Sequence, residues 1–147
     1  MHEYEVNVRW ESDRQGIASS PVLPQSIEVA TPPEFPKGMA GIWSPEHFFV
    51  AAVNSCLMTT FLAIAENSKL EFLHFDSQAV GKLDKVDGKY MMTEVLLKPV
   101  LVIANPEQEE KAKRVLEMSE RACLISNSVK STVTMEAVVR VEQLAEA

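Results

Sequence analysis

Two cysteines are the residues of this chain best suited to covalent chemistry. Cys56 stands in Asn54-Ser55-Cys56-Leu57-Met58, and Cys123 in Ala122-Cys123-Leu124-Ile125-Ser126-Asn127-Ser128. They lie far apart in sequence, which fits neither a CxxC site nor a disulfide-rich scaffold. Two readings stay open at this level. They are inert core thiols, since free cysteine is among the most buried residue types, or they are a working pair. A reactive thiolate needs a cation, a helix N-terminus or a hydrogen-bond donor beside it. No sequence neighbour of Cys56 supplies one, so its stabiliser must arrive through the fold; Arg121, close to Cys123, reads as solvated. Neither cysteine is spaced from a histidine as metal ligands are, so no metal is expected.

The elements that must position these thiols are legible as patterns. Tyr4, Val6, Val8 and Trp10 alternate with polar residues, the period of a half-buried strand. Glu11 to Gly16 reads as a turn, a second strand starts near Ile17, and Ile27 and Val29 mark a third after the interruption at Pro21 to Pro24. From Thr31 to Ser44 the prolines and glycines exclude a regular element. Ser44 then serves as N-cap, with Pro45 at the first helical position and Glu46 in the first turn, for a helix reaching about Asn67. This helix carries Cys56 and is apolar on nearly every side, which predicts burial all round.

The second half reads as strand, hairpin, strand, helix, strand. Leu73, Phe75, Ser77 and Ala79 share a strand face, and Val80-Gly81 predicts a bulge or bend. Asp87-Gly88 is a two-residue hairpin turn, and Tyr90 to Ile103 returns as a long strand in which Pro99 predicts an edge or bulge. Asn105, Pro106 and Gln108 start a second helix, with Gln108 expected to reach back to the cap. Ala112, Val115, Leu116 and Ser119 lie on one face of it, and Cys123 falls near its C-terminal end. Thr132 to Val141 closes the chain as a β-branched strand. The order β-β-β-α-β-β-α-β makes an α+β fold, read as one domain over residues 1–147.

Bulk properties narrow the function. The 147 residues carry a net charge of -7 with no basic block, which argues against nucleic acid or an anionic membrane as partner. Phe48 to Ala65 nears the length of a membrane span, but Asn54, Ser55, Thr59 and Thr60 interrupt it and no basic anchors flank it, so it is read as a buried helix of a soluble core. Met1 to Trp10 lacks the apolar run of an export signal, and the cytoplasm, where thiols stay reduced, is the expected compartment.

The run from Ser44-Pro45-Glu46 through Asn54-Ser55-Cys56 resembles the central helix of the OsmC/Ohr family, in which a Pro-Glu pair opens the helix and a cysteine follows ten residues after the Glu. Ala122 to Ser128 resembles that family's second cysteine motif, and the likeness extends over nearly the whole chain. It implies an OsmC-like fold in an intertwined homodimer, acting as a peroxidase on organic hydroperoxides and more weakly on hydrogen peroxide. Cys56 maps to the peroxidatic cysteine, Cys123 to the resolving one and Glu46 to the helix-opening glutamate. The family's arginine maps to Arg14, with Arg9 as the fallback. The resemblance implies no cofactor, but an external dithiol reductant such as a lipoyl-protein. His47 stands where Gln is commoner and is given a capping or packing role. Ten residues at about 1.5 Å each separate Glu46 from Cys56 by about 15 Å, so Glu46 is expected to serve the Cys56 of a partner subunit. Two other classes compete: a module holding an apolar ligand beside unreactive cysteines, and a redox sensor that does not turn over.

Overall fold

The computed structural model describes residues 1–142, which group into two compact units, Met1–Phe49 and a second that starts at Val50. In the first unit β1 (Asn7–Ser12), β2 (Gln15–Ser20) and β3 (Leu23–Ala30) form an antiparallel sheet in the order β1-β2-β3. β1 begins later than the alternation suggested, and all six of its residues are exposed rather than half-buried. The alternation was real, but nothing within this unit covers the apolar side. Pro24 is absorbed near the start of β3, a position where a missing N–H is tolerated.

The proline-rich stretch is irregular, as expected, and is tied to the sheet where the Ala30 N–H donates to the Trp43 carbonyl at 2.9 Å. It delivers the chain to α1 (Pro45–Asn67). The cap forms as the sequence predicts: the His47 N–H donates to Ser44 Oγ at 3.2 Å. His47 closes the motif in return, its Nδ1 lying 2.7 Å from the same oxygen. That assigns His47 to capping.

The second unit is built on a mixed sheet. β4 (His74–Val86) and β5 (Lys89–Ile103) make a long antiparallel hairpin whose turn places Asp87 at φ 52° and Gly88 at φ 79°. Both signs are those a type I′ turn demands. The expected bulge falls between Lys82 and Leu83 instead of at Val80-Gly81. Gly81 has another purpose: a Cβ there would collide with the Val50 side chain of α1 and with Met92. It is the point of close approach between helix and sheet.

The closing strand differs from expectation. It is split into β6 (Thr132–Met135) and β7 (Val138–Val141), both parallel to β5. β6 pairs as far as Leu97 and β7 resumes at Val100, so Pro99, which has no N–H to donate, lies beside the gap between them. Pro99 therefore marks neither an edge nor a bulge, since β5 is flanked by β4 on one side and by β6 and β7 on the other.

A 3-10 turn over Pro106–Gln108 precedes α2 (Glu109–Ala122). Asn105 caps it by accepting from the Glu107 N–H at 2.9 Å, whereas Gln108 does not reach back and its Oε1 accepts from the Glu71 N–H at 3.4 Å. The predicted face of α2, Ala112, Val115, Leu116 and Ser119, is the buried one. Ala112, Val115 and Leu116 join Phe61, Ala65, Leu70, Leu101 and Ile103 in a core cluster, where Phe61 stacks on Phe75 at 4.8 Å between ring centres. α1 itself is covered on one side only: Val53, Cys56, Leu57, Phe61 and Ala65 are buried, while Met58 and Leu62 are exposed.

Candidate functional site

Cys56 faces into the second unit because α1 is locked in rotation just before it. The Asn54 side chain donates to the Ser77 carbonyl of β4 at 2.8 Å and accepts from Ser77 Oγ at 2.6 Å. Two bonds to one residue fix which side of the helix meets the sheet, and Cys56 lies in the covered stripe with Val53 and Leu57. Cys123 is the residue that ends α2, with extended backbone (φ −66°, ψ 110°). The following segment folds back on itself. The Asn127 N–H donates to the Cys123 carbonyl at 3.1 Å, the Asn127 side chain to the Arg121 carbonyl at 3.1 Å, and Ser128 Oγ to the Leu124 carbonyl at 2.7 Å. Arg121 is exposed, as the sequence suggested.

The two thiols meet. Both are free and buried, and each enters the hydrogen bonding of the other. Burial pushes the Cys56 thiol up, but hydrogen bonding from the Cys123 side chain, the Ile125 backbone, the Thr60 hydroxyl and the Leu124 backbone outweighs it. Its pKa lies below that of an ordinary cysteine. Cys123 moves the other way, because burial raises it and the Ser126 side chain and backbone only partly offset this. Donating to Cys56, and the charge there, raise it further. Cys56 is thus the more acidic thiol of the pair and Cys123 the less acidic one. Ser126 Oγ is buried without a hydrogen-bond partner of good geometry, so its effect on Cys123 is that of a nearby dipole.

Arg14 and Glu46 come together separately, in the first unit. Arg14 sits exposed at the tip of the β1–β2 turn, where Asp13 takes φ 48° and the Arg14 carbonyl accepts from the Thr31 N–H at 3.2 Å. It lines a cavity of about 490 Å³ together with Glu46, Trp10, Val29, Phe35 and Pro45. The ion pairs of the described residues join Lys82 to Glu94 and Lys113 to Glu109 and Glu110; Arg14 and Glu46 are not paired with each other. Arg9 is an exposed residue of β1 outside that cavity. Two residues at the thiols were passed over in the sequence. Thr60 could have been found from its spacing, one helical turn beyond Cys56, and Ser126 stood in the second cysteine motif without a role.

Residues 38–138 match the model of the family described as OsmC-like protein, well over half of the chain. The structure is similar to that of an OsmC-like protein of unknown function from Vibrio cholerae, with a TM-score of 0.85 and 26% identity over 94% of this chain and 100% of that one. It is similar as well to an organic hydroperoxide resistance protein from Legionella pneumophila, with a TM-score of 0.74 and 18% identity over 96% of this chain and 100% of that one. Among sequences, the uncharacterised Bacillus subtilis protein YmaD is 20% identical over 141 residues, covering 92% of this chain and 91% of its own. The α+β fold and the family expected from the two cysteine motifs are both borne out.

Proposed function

Because the chain belongs to the OsmC-like protein family, we propose that it is a thiol peroxidase that reduces organic hydroperoxides, and hydrogen peroxide more weakly, in defence against oxidative stress. The observation that carries this reading is the meeting of two free, buried cysteines, Cys56 and Cys123, of which Cys56 is the more acidic. The name of the Legionella pneumophila relative, an organic hydroperoxide resistance protein, supports the choice of substrate.

The chemistry follows from the asymmetry. The Cys56 thiolate attacks one oxygen of the hydroperoxide; the O–O bond breaks, the sulfur becomes sulfenic acid and the alcohol leaves after taking a proton. The Cys123 thiol then condenses with the sulfenic acid, forming the disulfide and releasing water. An external dithiol, a lipoyl-protein or one of similar chemistry, exchanges with that disulfide, restores both thiols and leaves as its own disulfide. Arg14 holds the peroxide oxygens, while Glu46 orients the guanidinium.

The working form is a homodimer in the cytoplasm. Glu46 and Cys56 stand ten residues apart along α1, so Arg14 and Glu46 of one subunit serve the Cys56 of the other. The exposed apolar side of the β1–β2–β3 sheet, with Val8, Leu23 and Ile27, supports burial against a second copy. The test is consumption of cumene hydroperoxide and of hydrogen peroxide with dihydrolipoamide as reductant. Turnover of the organic peroxide that Cys56→Ser abolishes is the expected result. A folded, reduced protein without turnover would instead favour a sensor or an apolar-ligand module.

A further inference from the structure

In an α-helix a serine or threonine hydroxyl ordinarily returns to a carbonyl one turn back. Ser55 Oγ does so to Ala51 at 2.6 Å and Ser119 Oγ to Val115 at 2.6 Å. The carbonyl one turn before Thr60 is that of Cys56, and it already accepts from Thr59 Oγ1 at 3.2 Å. Thr60 Oγ1 is directed elsewhere. It lies 3.8 Å from Cys56 Sγ, within the reach of a hydrogen bond to sulfur. Residues four apart share a helix face, so the hydroxyl flanks the sulfur from the same element while Cys123 approaches it from the end of α2.

We propose that Thr60 is a catalytic hydrogen-bond donor of the site: its hydroxyl donates to the Cys56 sulfur, stabilises the attacking thiolate and holds it in the rotamer that faces Cys123. The titratable group facing Cys56 is Cys123, and the donors that lower the Cys56 thiol are neutral. Activation of the nucleophile is therefore built into the second unit, and Arg14 is left to act on the peroxide. The importance of Thr60 for turnover rests on the peroxidase reading; its effect on the thiol does not.

The experiment is the pH dependence of Cys56 alkylation by iodoacetamide in the reduced full-length protein, followed by peptide mass spectrometry so that Cys123 is read separately. Thr60→Val keeps the shape and removes the donor, Thr60→Ala removes it with a better helix former, and Thr60→Ser keeps it. With Thr60→Val and Thr60→Ala the alkylation curve moves to higher pH and the rate at pH 7 falls roughly threefold to tenfold, while Thr60→Ser follows the wild type. Superimposed curves for wild type and Thr60→Val, or a loss in Thr60→Ser equal to that in Thr60→Val, would overturn the proposal. No peroxide is used, so a protein inert to hydroperoxide would sink the peroxidase reading while the alkylation curves still decide this one.

Discussion

At the scale of single residues, reactivity is divided between two thiols of identical intrinsic chemistry by their neighbours. The Cys56 thiol lies below the ordinary range, so its thiolate fraction at neutral pH is raised; the Cys123 thiol lies above that range, so its fraction is reduced. Under limiting iodoacetamide at pH 7, Cys56 is therefore modified before Cys123, and as the pH is lowered from strongly alkaline values Cys123 slows first. Peptide mapping checks both statements. Arg14 should behave differently from either cysteine. If it acts on the peroxide, Arg14→Ala lowers kcat/KM for cumene hydroperoxide by about a hundredfold or more, the scale for losing one charge-stabilising donor. Its Cys56 alkylation curve should stay near that of the wild type. An alkylation curve shifted as far as the rate would mean that Arg14 acts on the sulfur instead.

At the scale of elements, the site depends on where α1 is pinned. Gly81 is the contact point between α1 and β4, and a methyl group there would meet the β-branched Val50. Gly81→Ala should destabilise the protein by about 1–3 kcal/mol, the usual cost of overpacking, as read by chemical denaturation. Ser44→Ala removes an oxygen that serves both the His47 N–H and the His47 ring, and should cost about 1 kcal/mol by the same assay. These elements also show what a sequence can reveal. Caps and turns were legible because their chemistry is local: Ser44 before Pro45, Asn105 before Pro106, and Asp87-Gly88 where both residues take positive φ. The core face of α2 was legible from its period. Long-range geometry was not. The division of Thr132–Val141 into β6 and β7 beside Pro99 depends on strands that pair across the fold. The Thr60 contact needed the actual direction of a hydroxyl, which i,i+4 spacing permits without requiring.

At the scale of the whole molecule, the surface left by one chain asks for more protein. α1 exposes Met58 and Leu62 beside the small residues Ala52, Ser55 and Ala63. The face of the β1–β2–β3 sheet forms an apolar cavity of about 530 Å³ lined by Val6, Val8, Ile27 and Phe48. A solvated monomer has little reason to keep these surfaces. Leu62→Glu would place a charge in the helix contact of the proposed dimer, and should convert it to a monomer in sedimentation velocity. Peroxide turnover should fall with dimerisation, because Arg14 and Glu46 come from the partner subunit in this reading. A wild-type protein that sediments as a monomer and is fully active would remove the shared site.

The proposed role of Cys56 and Cys123 is the joint reduction of a hydroperoxide. Adding one equivalent of cumene hydroperoxide to the reduced protein, then mapping its peptides without reductant, tests it most directly. The expected products are one disulfide joining the Cys56 and Cys123 peptides of the same chain, and a stable Cys56 sulfenic acid when Cys123 is replaced by serine. Both cysteines recovered as free thiols, with the hydroperoxide unconsumed, would contradict it.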